Sequence, residues 1–306
     1  YGDDAPMTVR LVDWADEEGA RFGKSLFGSS ACAGHLDMDE ARRLVDKDGV
    51  TLADALRGVG LDLEKVGDSG RELKDAAAYL ELHIEQGPVL EQQGVTIGAV
   101  TGVQGISWRE VTINGQSNHA GTTPMGLRHD PAYAAAAVAV FMRQLATRYG
   151  GNQVCTVGKI DLHPNLVNVV PASAVLTLDV RNTDEGLLRK AESEIDEYLA
   201  RLADEEGVSV SVRTLARFEP VEFDGTVISL VESTASRLDL SCMRLPSGAG
   251  HDAQMLARVC PTGMVFVQSH RGISHNPAEH TDERDLVAGC DVLLQVLVSL
   301  VTGEET

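Results

Sequence analysis

The sequence predicts an α/β fold in two parts: a central sheet flanked by helices and built from both ends of the chain, and a self-contained domain inserted between them. Three observations carry this. Apolar, β-compatible runs at residues 8–14, 77–84 and 263–267 each lead into polar residues, as strands do when their carboxyl ends open onto a site. Residues 108–216 instead follow the order β-α-β-β-α-β, the split β-α-β, ferredoxin-like arrangement. Helical periodicity fills the connections on either side. The predicted boundaries are 1–104 with 217–306 for the outer domain and 105–216 for the insert.

Taken in order, the strand at 8–14 ends in Asp16-Glu17-Glu18-Gly19. Two adjacent carboxylates can divide labour, one ligating a metal and the other moving a proton; alone, an acidic pair also suits a solvated turn. Residues 24–36, rich in Gly, Ser and Ala, read as loop, followed by helices at 39–46 and, capped by Thr51, at 52–57. His35-Leu36-Asp37 reads as the approach to a helix. The run at 77–84 ends in His83, then Glu85-Gln86-Gly87-Pro88; a histidine at a strand tip is either a ligand or a hydrogen-bonded core residue.

Within the insert, a strand at 108–114 precedes an alanine-rich helix that Asp130 caps and Pro131 opens, and that stops at Gly150-Gly151. Strands follow at 154–162 and 174–181, the latter with Leu176, Leu178 and Val180 on one face and Thr177, Asp179 and Arg181 on the other. Leu187, Leu188, Ala191, Ile195, Leu199 and Leu202 recur at helical spacing, and Val208, Val210 and Val212 alternate as a strand. The last part returns to the first style. A helix at 227–238 leads to a small-residue loop, Ser247-Gly248-Ala249-Gly250-His251-Asp252, which opens a helix at 253–258. After the strand at 263–267 comes His275, then a long amphipathic helix capped by Thr281.

Composition narrows the function classes. Among 306 residues, 26 are Lys or Arg and 46 are Asp or Glu, a net charge of −20, which argues against a nucleic-acid partner. No run reaches the roughly 18 apolar residues of a membrane span, so no membrane partner is expected. Five scattered cysteines without a Cys-x-x-Cys pair fit free thiols in a reducing, cytoplasmic setting.

Glu17/Glu18, His83 and His275 thus stand in three segments, each expected just past a strand, and carboxylate with imidazole suits zinc, manganese or a similar ion. Together DEEGARFG, LHIEQGPVLE, GQSNHAGTTPM, NVVP with DVRN, SGAGHDA and GISHNPAE resemble the M20 metallopeptidase-like amidohydrolases, in the branch of N-carbamoyl-L-amino-acid hydrolases, allantoate amidohydrolases and β-ureidopropionases. The resemblance covers essentially the whole chain. It implies a metal-dependent hydrolase domain with an inserted dimerisation (lid) domain, a homodimer, and two divalent ions per site, Zn or Mn. It also implies Glu17 as general base, Glu18 and His275 as ligands of one metal, His83 as ligand of the other, and Gln86 beside the substrate. His119 would stabilise the oxygen that becomes negative, usually in the partner's site, and Asn168 and Arg181 would bind the substrate carboxylate. The expected reaction cleaves a C–N bond of a linear ureido or carbamoyl carboxylate, foremost N-carbamoyl-L-amino acid to amino acid, ammonia and carbon dioxide. The alternatives are allantoate, a peptide substrate, or a metal-poor binding or dimerising protein.

The family pattern has further ligands, an upstream His-x-Asp and a bridging Asp, before the Glu-Glu turn. This chain opens on Tyr1 close to that turn, so it is expected to lack an N-terminal portion and to carry only part of the ligand set.

Overall fold

The computed structural model describes residues 7–303. They form two compact units, one made from the chain up to Val103 and from Glu222 onward, the other from Gln104–Val221.

The first unit begins without a strand. Residues 8–14 form no ladder, and Leu11 is fully exposed, so the apolar run predicted as β stays coil: it has no pairing strand among the described residues, and Trp14 at its end is what packs against a core cluster. The stretch at 24–36, which reads as loop, contains instead α1 (Phe27–Cys32). Next come α2 (Met38–Ala41), shorter than the predicted 39–46, and α3 (Leu52–Gly58). Asp37 caps α2 by accepting from the Asp39 and Glu40 amides, and Thr51 caps α3. Then follow β1 (Tyr79–Ile84), α4 (Val89–Gln93) and β2 (Ile97–Val103). β2 escapes prediction because Gly98, Thr101 and Gly102 dilute its apolar pattern.

The second unit contains β3 (Gly105–Asn114), β4 (Asn118–His119), α5 (Pro131–Tyr149), β5 (Val154–His163), β6 (Val169–Val170), β7 (Ser173–Asn182), α6 (Glu185–Glu206) and β8 (Ser209–Phe218). Its four long strands lie in the order β5-β7-β3-β8, every neighbouring pair antiparallel. Asp130 accepts from the Ala132 and Tyr133 amides at the start of α5, and Asp184 accepts from the Leu187 amide at the start of α6. Val111, Ile113, Leu176 and Leu178 pack with Val138, Leu145, Leu188 and Ile195 in a continuous core. β7 alternates strictly between buried and half-buried positions, as one covered face requires. β4 and β6 continue the β3–β7 pairing beyond the sheet: Asn114 pairs with Ser173, Asn118 with Val170 and His119 with Val169.

The chain then returns through β9 (Val221–Glu222), α7 (Gly225–Arg237), β10 (Cys242–Ser247), α8 (Ala253–Leu256), β11 (Thr262–Val267) and α9 (Glu283–Thr302). β1, β11, β2 and β10 lie side by side in a mixed sheet in which β1 and β11 are parallel. α9 starts after Asp282 rather than at Thr281, because the Thr281 hydroxyl donates to the Gln268 carbonyl and is not a cap. By length and composition α9 is apolar enough to cross a membrane. Here it packs against β1, β11 and α7, burying Gly289, Val292 and Val296. A Cβ on Gly289 would stand 2.6 Å from Val267 and 2.8 Å from Leu82. Gly289→Leu is therefore expected to destabilise the fold by about 1–3 kcal/mol through overpacking, read as a lower midpoint in urea unfolding; an unchanged midpoint would show that the helix can move off the sheet freely.

Candidate functional site

Parallel pairing brings two loops together. Because β1 and β11 run the same way, with His83 opposite Phe266 and Ile84 opposite Val267, the segments that follow them leave the same edge of the sheet. The Gln86 side-chain amide lies 3.0 Å from Ser274 Oγ and 3.4 Å from His275 Nε2. His275 Nε2 in turn stands 4.0 Å from Glu18 Oε1, both side chains being about 70% exposed (70% and 68%). Glu17 and Glu18 do not follow a strand; they occupy a turn stitched to α1 by Leu26 N–H donating to the Glu17 carbonyl and Gly28 N–H to that of Ala15. A Cβ on Gly28 would lie 2.7 Å from the Ala15 nitrogen, so only glycine allows that approach. Just upstream, Trp14 Nε1 donates to the Tyr79 hydroxyl at 3.0 Å, and that hydroxyl donates to Glu81 on β1 at 2.9 Å.

Backbone strain gathers at these positions. Asp16 (φ 52°), Gln86 (φ 56°) and His275 (φ 53°) are non-glycine residues in the left-handed region. Such conformations persist where surrounding contacts hold them, and they recur at functional sites.

Burial and neighbouring like charges dominate the electrostatics of the cluster. Burial raises the proton affinity of Glu17, the Asp252 and Glu18 carboxylates raise it further, and His275 opposes them. Burial likewise pushes Glu81 up to about 7, against the stabilising bonds from the Tyr79 hydroxyl and the Ala253 amide. Asp252 is raised by burial, and its Oδ1 is buried without a hydrogen-bond partner among the described residues. His251 is 2% exposed; burial, then the neighbouring His83, lower its pKa to about 3, so it is neutral. Its Nε2 meets Ser247 Oγ at 2.8 Å, and its ring centroid is 4.6 Å from that of His83. Ser247 Oγ also donates to the Ala249 carbonyl, which leaves His251 as the donor in their bond.

Do these residues fit a metal? In kind they do. His83 Nδ1 donates to the Ile84 carbonyl at 2.8 Å, which leaves Nε2 with its lone pair, the tautomer a metal ligand adopts. In number they do not: among the described residues no three His, Cys, Asp or Glu side chains converge as a metal site would require.

The second unit holds the other predicted site residues in two separate places. His119 is exposed on β4, and its Nδ1 accepts from the Gly121 amide at 3.0 Å, so Nε2 carries the proton and presents a donor. Ala120 N–H donates to the Asn168 carbonyl at 2.9 Å, which ties the two segments together. Arg181 lies eight residues along β7 from Ser173, on its polar face, which at strand rise is about 26 Å. The β4–β6 ribbon extends past the opposite end of the sheet. One copy of this unit therefore does not bring Arg181 to the same small molecule as His119 and Asn168. Arg181 grips Asp179 with Nε at 2.9 Å and Nη2 at 2.7 Å and lies over the Trp108 ring.

Sequence reasoning misses Glu81, Asp252 and Glu279 as site residues. Glu81 is legible as the second residue before His83, hence on the same strand face; Asp252 and Glu279 stand inside the SGAGHDA and GISHNPAE stretches, and only the fold shows what they touch.

Carboxylates and imidazoles gathered at the ends of parallel strands, in a chain that also carries an antiparallel α/β insert, define the class: an α/β protein with a polar, acid-rich centre. The chain matches peptidase family M20/M25/M40 over residues 2–299 and belongs to that family. It is 38% identical over 296 residues to an N-carbamoyl-L-amino acid amidohydrolase of Geobacillus stearothermophilus, covering 97% of this chain and 72% of the relative. An allantoate amidohydrolase of Escherichia coli (strain K12) is 39% identical over 301 residues, 98% of this chain and 72% of the relative. Among solved structures, an amidase of the hydantoinase/carbamoylase family from Burkholderia multivorans superposes with a TM-score of 0.87 at 35% identity, covering 94% of this chain and 69% of that one.

Proposed function

We propose that the protein is an amidohydrolase that cleaves a C–N bond of a linear ureido or carbamoyl carboxylate, foremost an N-carbamoyl-L-amino acid. The observation that carries it is Glu17: a carboxylate with raised proton affinity, held in a stitched turn beside Glu18 and His275. The relatives named above act on this class of substrate, as their names state. Glu17 takes a proton from the attacking water and delivers it to the leaving nitrogen; burial and the neighbouring carboxylates raise its proton affinity, which favours the first of these transfers. The Nε2–H of His119 stabilises the carbonyl oxygen as it gains charge, and Arg181 and Asn168 hold the substrate carboxylate. One water is consumed and the amino acid, ammonia and carbon dioxide result.

This reading assigns Glu18, His83 and His275 to a zinc or manganese ion as part of its ligand set, too few by themselves to complete it. The distance between Arg181 and the His119–Asn168 pair supports a homodimer in which His119 and Asn168 serve the partner's site.

The test measures ammonia release from N-carbamoyl-L-amino acids and allantoate and free amino acid release from dipeptides, each with added manganese or zinc. Turnover of a carbamoyl amino acid with kcat/KM at least about tenfold above any dipeptide is expected, a difference of about 1.4 kcal/mol in transition-state binding. Preference for dipeptides would assign the peptidase reading; no turnover and no bound metal would assign a binding or dimerising role.

A further inference from the structure

The 269–280 loop has one 3-10 turn, His270–Gly272, and beyond it a single carboxylate bonds the Ser274–His275 segment. His275 N–H donates to Glu279 Oε2 at 3.0 Å, and the Ser274 hydroxyl also bonds that carboxylate. Ser274 Oγ accepts from the Gln86 amide at 3.0 Å, so its own proton points to Glu279. At the start of the same loop, Ser269, fully buried, accepts from the backbone amide of Gln86 on the other loop at 2.9 Å. Glu279 is itself positioned by its amide donating to the Asn276 carbonyl.

We propose that Glu279 is a positioning residue: its carboxylate clasps the Ser274–His275 backbone and thereby fixes the left-handed His275 and, through Ser274, the side chain of Gln86. The physical need is plain. Both residues adopt backbone conformations that cost about 1 kcal/mol or more, in an exposed loop with no ladder to hold them. An ionised acceptor forms hydrogen bonds roughly twice as strong as a neutral one, and two of them converge on this one group. Without the clasp, His275 relaxes to an ordinary backbone conformation and its ring leaves the neighbourhood of Glu18. The clasp is read from geometry alone; its service to catalysis rests on the amidohydrolase reading above.

Amide hydrogen exchange on the wild type, Glu279→Ala and Glu279→Gln separates the two. In Glu279→Ala the His275 amide is expected to exchange at least about tenfold faster, the loss of one charge-assisted hydrogen bond, while the amides of β11 keep their wild-type rates. Glu279→Gln, which retains one neutral acceptor oxygen, is expected to recover part of the protection. With a carbamoyl substrate, Glu279→Ala should lower kcat by about 10–100-fold with KM changed far less. Unchanged exchange at His275, equal acceleration in loop and strand, or a glutamine variant no better than alanine would each overturn the clasp. The exchange rates decide this whether or not the protein turns over the carbamoyl substrate; absent turnover in the wild type counts against the functional reading alone.

Discussion

Glu17→Gln is expected to lower kcat for a carbamoyl amino acid by about 10²–10⁴, the range that a positioned general base contributes, with the fold unchanged. The substitution is nearly isosteric, and what stitches the turn to α1 is the Glu17 backbone carbonyl accepting from Leu26, which survives the exchange. Only the capacity to take a proton is removed. Burial, Asp252 and Glu18 together prepare Glu17 as a base, since all three raise its proton affinity. Glu18→Gln gives the contrast. Glu18 is exposed and next to His275, so its loss should weaken metal binding and be partly offset by a higher metal concentration. Glu17→Gln should not respond to added metal. Recovery of Glu17→Gln activity with added metal would place Glu17 among the ligands and remove it from the proton path.

How far is this legible in the sequence? The insert can be read almost element by element, because its strands alternate and its helices carry their own stop and start signals: Asp130-Pro131 before α5, Gly150 after it, Asp184 before α6. Those signals are local, and local chemistry decides them. The outer unit is less legible. Residues 8–14 carry strand-forming residue types, yet a strand needs a neighbour, and periodicity has no access to that. β2 and β10 are hidden for the complementary reason: Gly98 and Pro246 break the pattern, and the pairing of β2 with β10 on one side and β11 on the other overrides it. The candidate site follows the same division. His83, Gln86 and His275 can be picked out as polar residues after apolar runs; that Gln86 and His275 lie side by side depends on the parallel register of β1 and β11. The acidic turn stands out in the sequence for a partly mistaken reason, since no strand leads into it.

Arg181→Ala and His119→Ala are each expected to be nearly inactive alone and to complement one another when mixed. Arg181 is a bidentate fork already aligned by Asp179, and truncating a partner of a charged, hydrogen-bonded pair costs roughly 2–5 kcal/mol, so KM for a carboxylate substrate should rise about 10²-fold or more. His119→Ala removes the Nε2 donor and should act on kcat, by about 10²–10³. Were both side chains used at one site from one chain, a dimer of the two variants would carry one defect in each site and stay inactive. The separation of about 26 Å along β7 argues for the other geometry. With His119 serving the partner's site and Arg181 its own, one site of the mixed dimer carries both defects and the other carries none. Random exchange of two-fold dimers then makes half of them mixed, restoring about a quarter of the wild-type sites. Recovery near that level, with wild-type KM in the restored fraction, is the expected result. No recovery in verified mixed dimers would mean that His119 and Arg181 serve the same site or that one of them serves none, and the Arg181→Ala KM for an uncharged ureido substrate would then show whether Arg181 reads the carboxylate at all.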